Sequence, residues 1–249
     1  MSRLKNKTII ITGASGDVGQ SLSELCYSFG ANLVLADLNQ AALESMSQKF
    51  DSDRVKIVKV DVSKEDDTTA MAQCAIDNFG KIDGLVANAA ISGKMGAIED
   101  LGVDDFTSVM NINVLGVWLS VRSIAKEIKK NGGSIVITSS VGGLTGSPFV
   151  SNYVASKHAV VGIMRSLSLE LGDHGVRVNC VCPTGIDGKM FSDITAQLGE
   201  EVKTAAVSRQ AIKRLAKPKE VAQMMVFLLS DESALSTGGC YNVDGGYST

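Results

Sequence analysis

Lys7-Thr8-Ile9-Ile10-Ile11-Thr12-Gly13-Ala14-Ser15-Gly16-Asp17-Val18-Gly19 decides how the rest of the chain is read. Its opening is a short, mostly β-branched apolar run, the mark of a strand buried on both faces. The glycine-rich segment that follows reads as a tight turn. Gln20 to Phe29 then reads as a helix closed by Gly30. Strand, glycine turn and helix in that order form the context in which glycines let a backbone approach a dinucleotide pyrophosphate at a helix N-terminus. Gly13, Ser15, Gly16, Asp17, Val18 and Gly19 are therefore candidate cofactor contacts.

Working outward, Ala31 to Ala36 is a second strand, ended by Asp37 and Leu38. An acidic residue about 20 positions past the glycines can accept hydrogen bonds from an adenosine ribose and repels a 2′-phosphate. A helix N-cap near Asn39 is the plainer reading of this corner, and both roles can coexist. Helices are expected over 41–50, 64–79, 106–130, 151–171 and 218–229. Ser63 is expected to cap the second of these and Pro218 to open the last. Further strands are expected over 55–60, 82–87, 134–138, 176–181 and 238–243. This alternation predicts an α/β fold, a single Rossmann-type domain with a doubly wound parallel sheet of about seven strands and helices on both faces. Residues 185–214 are poorly periodic and read as a substrate loop or lid. Ligands of such sheets bind outside the carboxyl ends of the strands. The glycine turn, Asp37, Asp61 with Val62, Asn88-Ala89-Ala90, Ser140 and Pro183-Thr184-Gly185-Ile186 all fall there.

The 249 residues are 45% hydrophobic and 20% charged, with a net charge of −3. There is no basic excess to suggest nucleic acid or an anionic membrane as partner. No run approaches a membrane span, and the N-terminus leads straight into the first strand, so no secretory signal is expected. Five scattered cysteines read as reduced thiols of a cytoplasmic protein. Cys180 and Cys182 read as small strand residues. The only two histidines, His158 and His174, are not grouped with them, so no metal site is expected.

Tyr153-Val154-Ala155-Ser156-Lys157 carries the chemistry. On a helix, residues four apart share a face. An ammonium beside a phenol favours the phenolate, and a phenol so tuned is a usable general acid or base. The bare spacing also occurs on solvated helix faces, and its neighbours give it weight.

At this point the chain resembles the short-chain dehydrogenase/reductase family over nearly its whole length. Thr12-Gly13 through Gly19 is similar to the family's TGxxxGxG turn, and Asn88-Ala89-Ala90 to its NAG motif. Asn113, Ser140, Tyr153 and Lys157 resemble its catalytic tetrad in order and spacing, with Ser140 lying 13 residues before Tyr153. The resemblance implies that Tyr153 exchanges a proton with the substrate oxygen, while Ser140 polarises that oxygen. Lys157 lowers the Tyr153 pKa and binds the nicotinamide ribose, and Asn113 holds a relay water. It also implies a homotetramer paired through 111–130, 151–171 and the C-terminal segment. Three departures stand out. Asp17 occupies the place of the turn's second glycine and is expected to favour its own helix start while pointing away from a pyrophosphate. Ala90 replaces a glycine. Gly188 stands where the PGxxxT segment has its threonine, for which Thr184 or Ser192 is a candidate substitute.

Asp37 and the uncharged Ser15 and Gly16 argue for NAD over NADP. The substrate side is expected to include Ser140, Gly142, Leu144, Asn152, Tyr153, Met190 and Phe191, with Phe149 adding apolar surface and Ser147 and Asp187 reading hydroxyls. The expected activity is NAD-dependent interconversion of a secondary alcohol, with a polyol or sugar as candidates, and a ketone. The alternatives are an NADPH-type 3-ketoacyl reductase and a non-catalytic dinucleotide sensor.

Overall fold

The computed structural model describes residues 2–249. One seven-stranded parallel sheet has the order β3-β2-β1-β4-β5-β6-β7. Its strands are β1 (Thr8–Thr12), β2 (Asn32–Asp37), β3 (Val55–Lys59), β4 (Gly84–Ala87), β5 (Gly133–Thr138), β6 (Val176–Pro183) and β7 (Cys240–Val243). Strand order reverses between β1 and β4, leaving a crevice above their carboxyl ends. In β1 every residue is buried, and alternate side chains enter opposite layers. Ile10 packs with helices α3 (Glu65–Phe79), α5 (Gly116–Asn131) and α6 (Ser151–Gly172). Ile9 and Ile11 pack with α1 (Asp17–Ser28), α2 (Gln40–Ser47) and α9 (Pro218–Leu229). Each fully buried isoleucine of this kind is worth about 1.5–3 kcal/mol of apolar transfer.

Several boundaries differ from the sequence reading. The first helix begins at Asp17, because the turn closes one residue after Gly16. Ser63 does not cap α3: its hydroxyl donates to Asp61 Oδ1 at 2.6 Å, and the N-cap is Lys64, without a side-chain bond. The long helix expected from Phe106 is α4 (Val103–Met110), a π-turn over Asn111–Leu115, and α5. By length and apolarity alone Val103–Asn131 could cross a bilayer, contrary to expectation. Its Val117, Val121, Ile124 and Ile128 are instead part of the core on one face of the sheet. The 185–214 segment contains two helices, α7 (Lys189–Leu198) and α8 (Glu201–Ser208), neither with a fully buried side chain. In α7, contrary to the sequence reading, Phe191, Ile194 and Leu198 recur at helical spacing.

Candidate active site

The glycine turn is shaped by close approach. Gly13 has φ +63°, and a Cβ there would strike the Ala89 backbone. A Cβ on Gly19 would strike Gly13 and Ala14, so Gly19 seats α1 on the turn and does not line the cavity. Asn88 clamps the assembly. Its amide donates to the Thr12 and Gly13 carbonyls at 3.3 and 3.2 Å, and its oxygen accepts from Thr138 Oγ1 at 3.1 Å. Asp37 accepts from Ser15 N–H at 2.9 Å and Asn39 N–H at 3.0 Å, which holds the turn against the end of β2. Asn39 caps α2, accepting from Ala42 N–H, as the N-cap reading of this corner expects. The two Ser63 bonds hold the Asp61 carboxyl below the usual range.

These elements open on one cavity of about 1190 Å³. Gly13, Ser15, Gly16, Asp17, Val18, Asp37, Leu38, Asp61, Val62, Asn88, Ala89 and Ala90 line it, together with Pro183, Thr184, Gly185 and Ile186. So do Ser140, Tyr153 and Lys157, with Gly142, Ser147, Phe149, Met190 and Phe191 around them. Ser140 Oγ accepts from Gly142 N–H at 3.0 Å. Phe149 has φ +65°, a conformation costly for a side chain of its size, and its carbonyl is held by Gly96 N–H at 2.9 Å.

Tyr153 and Lys157 share a face of α6, with the ammonium 5.5 Å from the ring centre. The electrostatics differ from expectation. Burial holds the Tyr153 phenol above its ordinary value, with the Ser140 hydroxyl pulling the other way. Lys157 does not offset that burial; its ammonium donates to the Thr138 carbonyl at 2.9 Å. Burial pushes the Lys157 ammonium down from 10.5 to about 8. Behind it, on neighbouring strands, lie Cys180, Cys182 and Cys240, all free thiols.

Asn113 does not face the cavity. Its side chain is buried, donating to Ile91 O at 2.9 Å and Ser156 Oγ at 3.0 Å and accepting from Ile91 N–H at 2.9 Å. Both amide donors are used, so any water it held would fall to its main chain or to the remaining lone pair. Two substrate expectations fail. Leu144 packs into the core. Asn152 is buried, donating to Lys94 O and accepting from its neighbour's N–H, so it ties the 91–96 loop to α6. Asp187 lies outside the lining too. Of the candidate substitutes for the missing threonine, Thr184 lines the cavity, its Oγ1 accepting from Gln210, whereas Ser192 lies outside the lining and its Oγ donates back to Gly188 O. Sequence reasoning missed Ser92, Met95, Arg209 and Tyr247 in the lining. Tyr247 and Arg209 hydrogen-bond to each other at 3.0 Å from distant parts of the chain, a proximity no local pattern carries.

Asp17, too, departs from expectation. Its carboxylate reaches across to α7, accepting from Lys189 N–H at 2.7 Å. Among the described residues no group of three or more His, Cys, Asp or Glu could hold a metal.

A family model described as enoyl-(acyl carrier protein) reductase matches residues 13–248. The chain belongs to the short-chain dehydrogenase/reductase family. It is 34% identical to a short-chain dehydrogenase/reductase of Botryotinia fuckeliana, over 97% of this chain and 96% of that one. It is 35% identical to a 2,5-dichloro-2,5-cyclohexadiene-1,4-diol dehydrogenase of Sphingobium indicum, over 99% of both. Among solved structures it is similar to levodione reductase, with a TM-score of 0.93 and 31% identity over 98% of each chain. The chain is thus an oxidoreductase of a family that uses a nicotinamide dinucleotide. The residues present suit that group, from an acidic corner at Asp37 through the glycine cradle to the buried Lys157, and the Asp17 carboxylate lines the same cavity.

Proposed function

We propose that the protein interconverts a secondary alcohol and a ketone, using NAD in preference to NADP. The observation that carries this reading is the meeting of Ser140, Tyr153 and Lys157 in one cavity whose other wall is the glycine turn and Asp37. When bound, the dinucleotide supplies or accepts the hydride. The chain supplies the rest. Tyr153, kept protonated by burial, is an acid ready to give its phenolic proton to a carbonyl oxygen as negative charge grows there. Ser140 adds a hydrogen bond to the same oxygen. Its hydroxyl also favours the phenolate left behind. Lys157, mostly protonated at neutral pH, places a cation close to that phenolate and offers its remaining donors to a ribose. Asn113 positions α6 through Ser156 and fixes the 91–96 wall through Ile91. In the oxidative direction Tyr153 must first have lost its proton, and its phenolate then takes the proton of the alcohol.

Asp37 supports NAD, since a 2′-phosphate would meet its carboxylate beside the neutral Leu38. The 185–214 segment, with Met190 and Phe191, forms a partly apolar cover suited to a substrate with hydrocarbon faces. The 3-ketoacyl alternative draws on relatives named 3-oxoacyl-[acyl-carrier-protein] reductase, 34% identical to this chain, and Asp37 weighs against its usual cofactor. Exposed Trp118 and Leu115 on the long helical element and Leu169 on α6 support pairing into a homotetramer. The test is turnover of an alcohol and ketone panel with both cofactors, with Tyr153→Phe as control. The reading fails if NADP is preferred throughout, or if Tyr153→Phe keeps most of the activity.

A further inference from the structure

Asp17 and Gly188, two separate departures from the family pattern in sequence, meet in space. The Asp17 carboxylate accepts the Lys189 main-chain N–H at 2.7 Å. Lys189 opens α7, so the carboxylate serves one of the free donors at that N-terminus, where negative charge is favoured. The Lys189 ammonium is turned away to Asp193, at 2.8 Å. A Cβ on Gly188 would overlap the Asp17 carboxylate. Aspartate at 17 therefore needs the space that glycine leaves at 188, and the two departures form one feature. Asp17 is also the first residue of α1, after a Gly16 that provides no side-chain cap. Its charge thus sits between the amino ends of two helices and lines the cavity beside Gly13, Ser15 and Gly16. That is where a diphosphate would seek backbone donors.

We propose that Asp17 is a built-in competitor of the cofactor's diphosphate that also fastens α7 to the glycine turn, so that a dinucleotide enters by displacing the carboxylate from Lys189. The proposal rests on the dinucleotide reading above and adds to it an affinity-setting residue and a fastened cover. In the cofactor-free protein the Asp17–Lys189 bond holds the start of α7. Once a diphosphate takes those donors, the carboxylate must swing out, and α7 is then held by the ligand. Asp17 is exposed, so water screens the repulsion between its carboxylate and the two charges of a diphosphate a few ångströms away to about tenfold in affinity.

NADH titration, followed by fluorescence or calorimetry, is combined with hydrogen exchange of the 189–192 amides in the cofactor-free protein. Asp17→Gly should bind NADH about tenfold more tightly than wild type, with those amides exchanging about tenfold faster. Asp17→Asn keeps the size and an acceptor oxygen. It should gain affinity while retaining most of the protection, and this guards against misfolding of the glycine variant. Gly188→Ala should speed exchange in the wild-type background and have little effect on top of Asp17→Gly, since the overlap is then gone. Equal or weaker NADH binding by Asp17→Gly, or unchanged exchange at Lys189, overturns the proposal. If no variant binds NADH or NADPH, the cofactor reading falls and the proposal with it. Failure of the proposal alone appears as equal, measurable NADH affinity in wild type and Asp17→Gly.

Discussion

Replacing Lys157 with methionine should stabilise the protein while disabling it. The side chain is 3% exposed, and its ammonium has one protein hydrogen bond, to the Thr138 carbonyl. A lysine brought from 10.5 to about 8 by burial carries roughly 3 kcal/mol of unfavourable charge burial at neutral pH, at about 1.4 kcal/mol per pH unit. Methionine fills similar volume without the charge. It leaves the Thr138 carbonyl short of a partner, a loss of about 1 kcal/mol. The net gain at pH 7 is about 2 kcal/mol, which for a chain of this size raises Tm by roughly 4–8 °C. The pH dependence has a definite sign. The unfolded chain keeps the lysine proton up to about pH 10.4, whereas the folded chain releases it near 8. Between those values the unfolded state binds more protons, so wild-type stability rises with pH relative to the variant. Guanidinium denaturation of both proteins between pH 7 and 10.5 measures this. Lys157→Met should be the more stable at pH 7, lose its advantage through the window, and end slightly below wild type. A variant less stable at pH 7, by a margin that does not change with pH, would refute the desolvated amine.

Other expectations follow from the same geometry. The phenolate absorbance of Tyr153, taken as wild type minus Tyr153→Phe, should rise only above pH ~10 in the free protein and at lower pH with NAD⁺ bound; identical titrations would remove the cofactor's positive ring from the account. Asp37→Ser combined with Leu38→Arg should weaken NAD by about one to two decades and improve NADP, as calorimetry with each would reveal. Asn113→Ala should lower stability by roughly 2–4 kcal/mol as well as turnover, because it leaves the Ile91 N–H and carbonyl without partners and takes one donor from Ser156; an unchanged denaturation midpoint would mean that Asn113 acts through the relay alone.

Which parts were legible in the sequence follows from which forces are local. The strands were, because a strand covered on both faces needs an unbroken apolar run, as Ile9–Ile11 and Ile135–Ile137 provide. The Tyr153–Lys157 pair was legible because helical spacing alone places it. Leu144 and Asn152 were misread because nearness to Tyr153 in sequence says nothing about which way a loop side chain turns. The lowered Tyr153 pKa was not legible for a similar reason, since local spacing does not show the burial that raises it in the cofactor-free protein. The Asp17–Lys189 bond joins residues 172 positions apart, and each of its ends, taken singly, looked like a flaw in a motif.

The π-turn over Asn111–Leu115 houses one surplus residue inside a long helix. Each residue advances an α-helix by about 100°, and a surplus residue taken up in regular turns would swing everything after it by that angle. The π-turn absorbs it locally instead. Val117, Val121, Ile124 and Ile128 therefore stay turned to the sheet, and Gly116 keeps its bare backbone against Val62. Only the residues of the turn itself are set apart, and from there Asn113 reaches Ile91 and Ser156. In recombining this chain with its relatives, a single-residue gap between 111 and 115 should leave the interior face of α5 in register and fall on the Asn113 contacts alone.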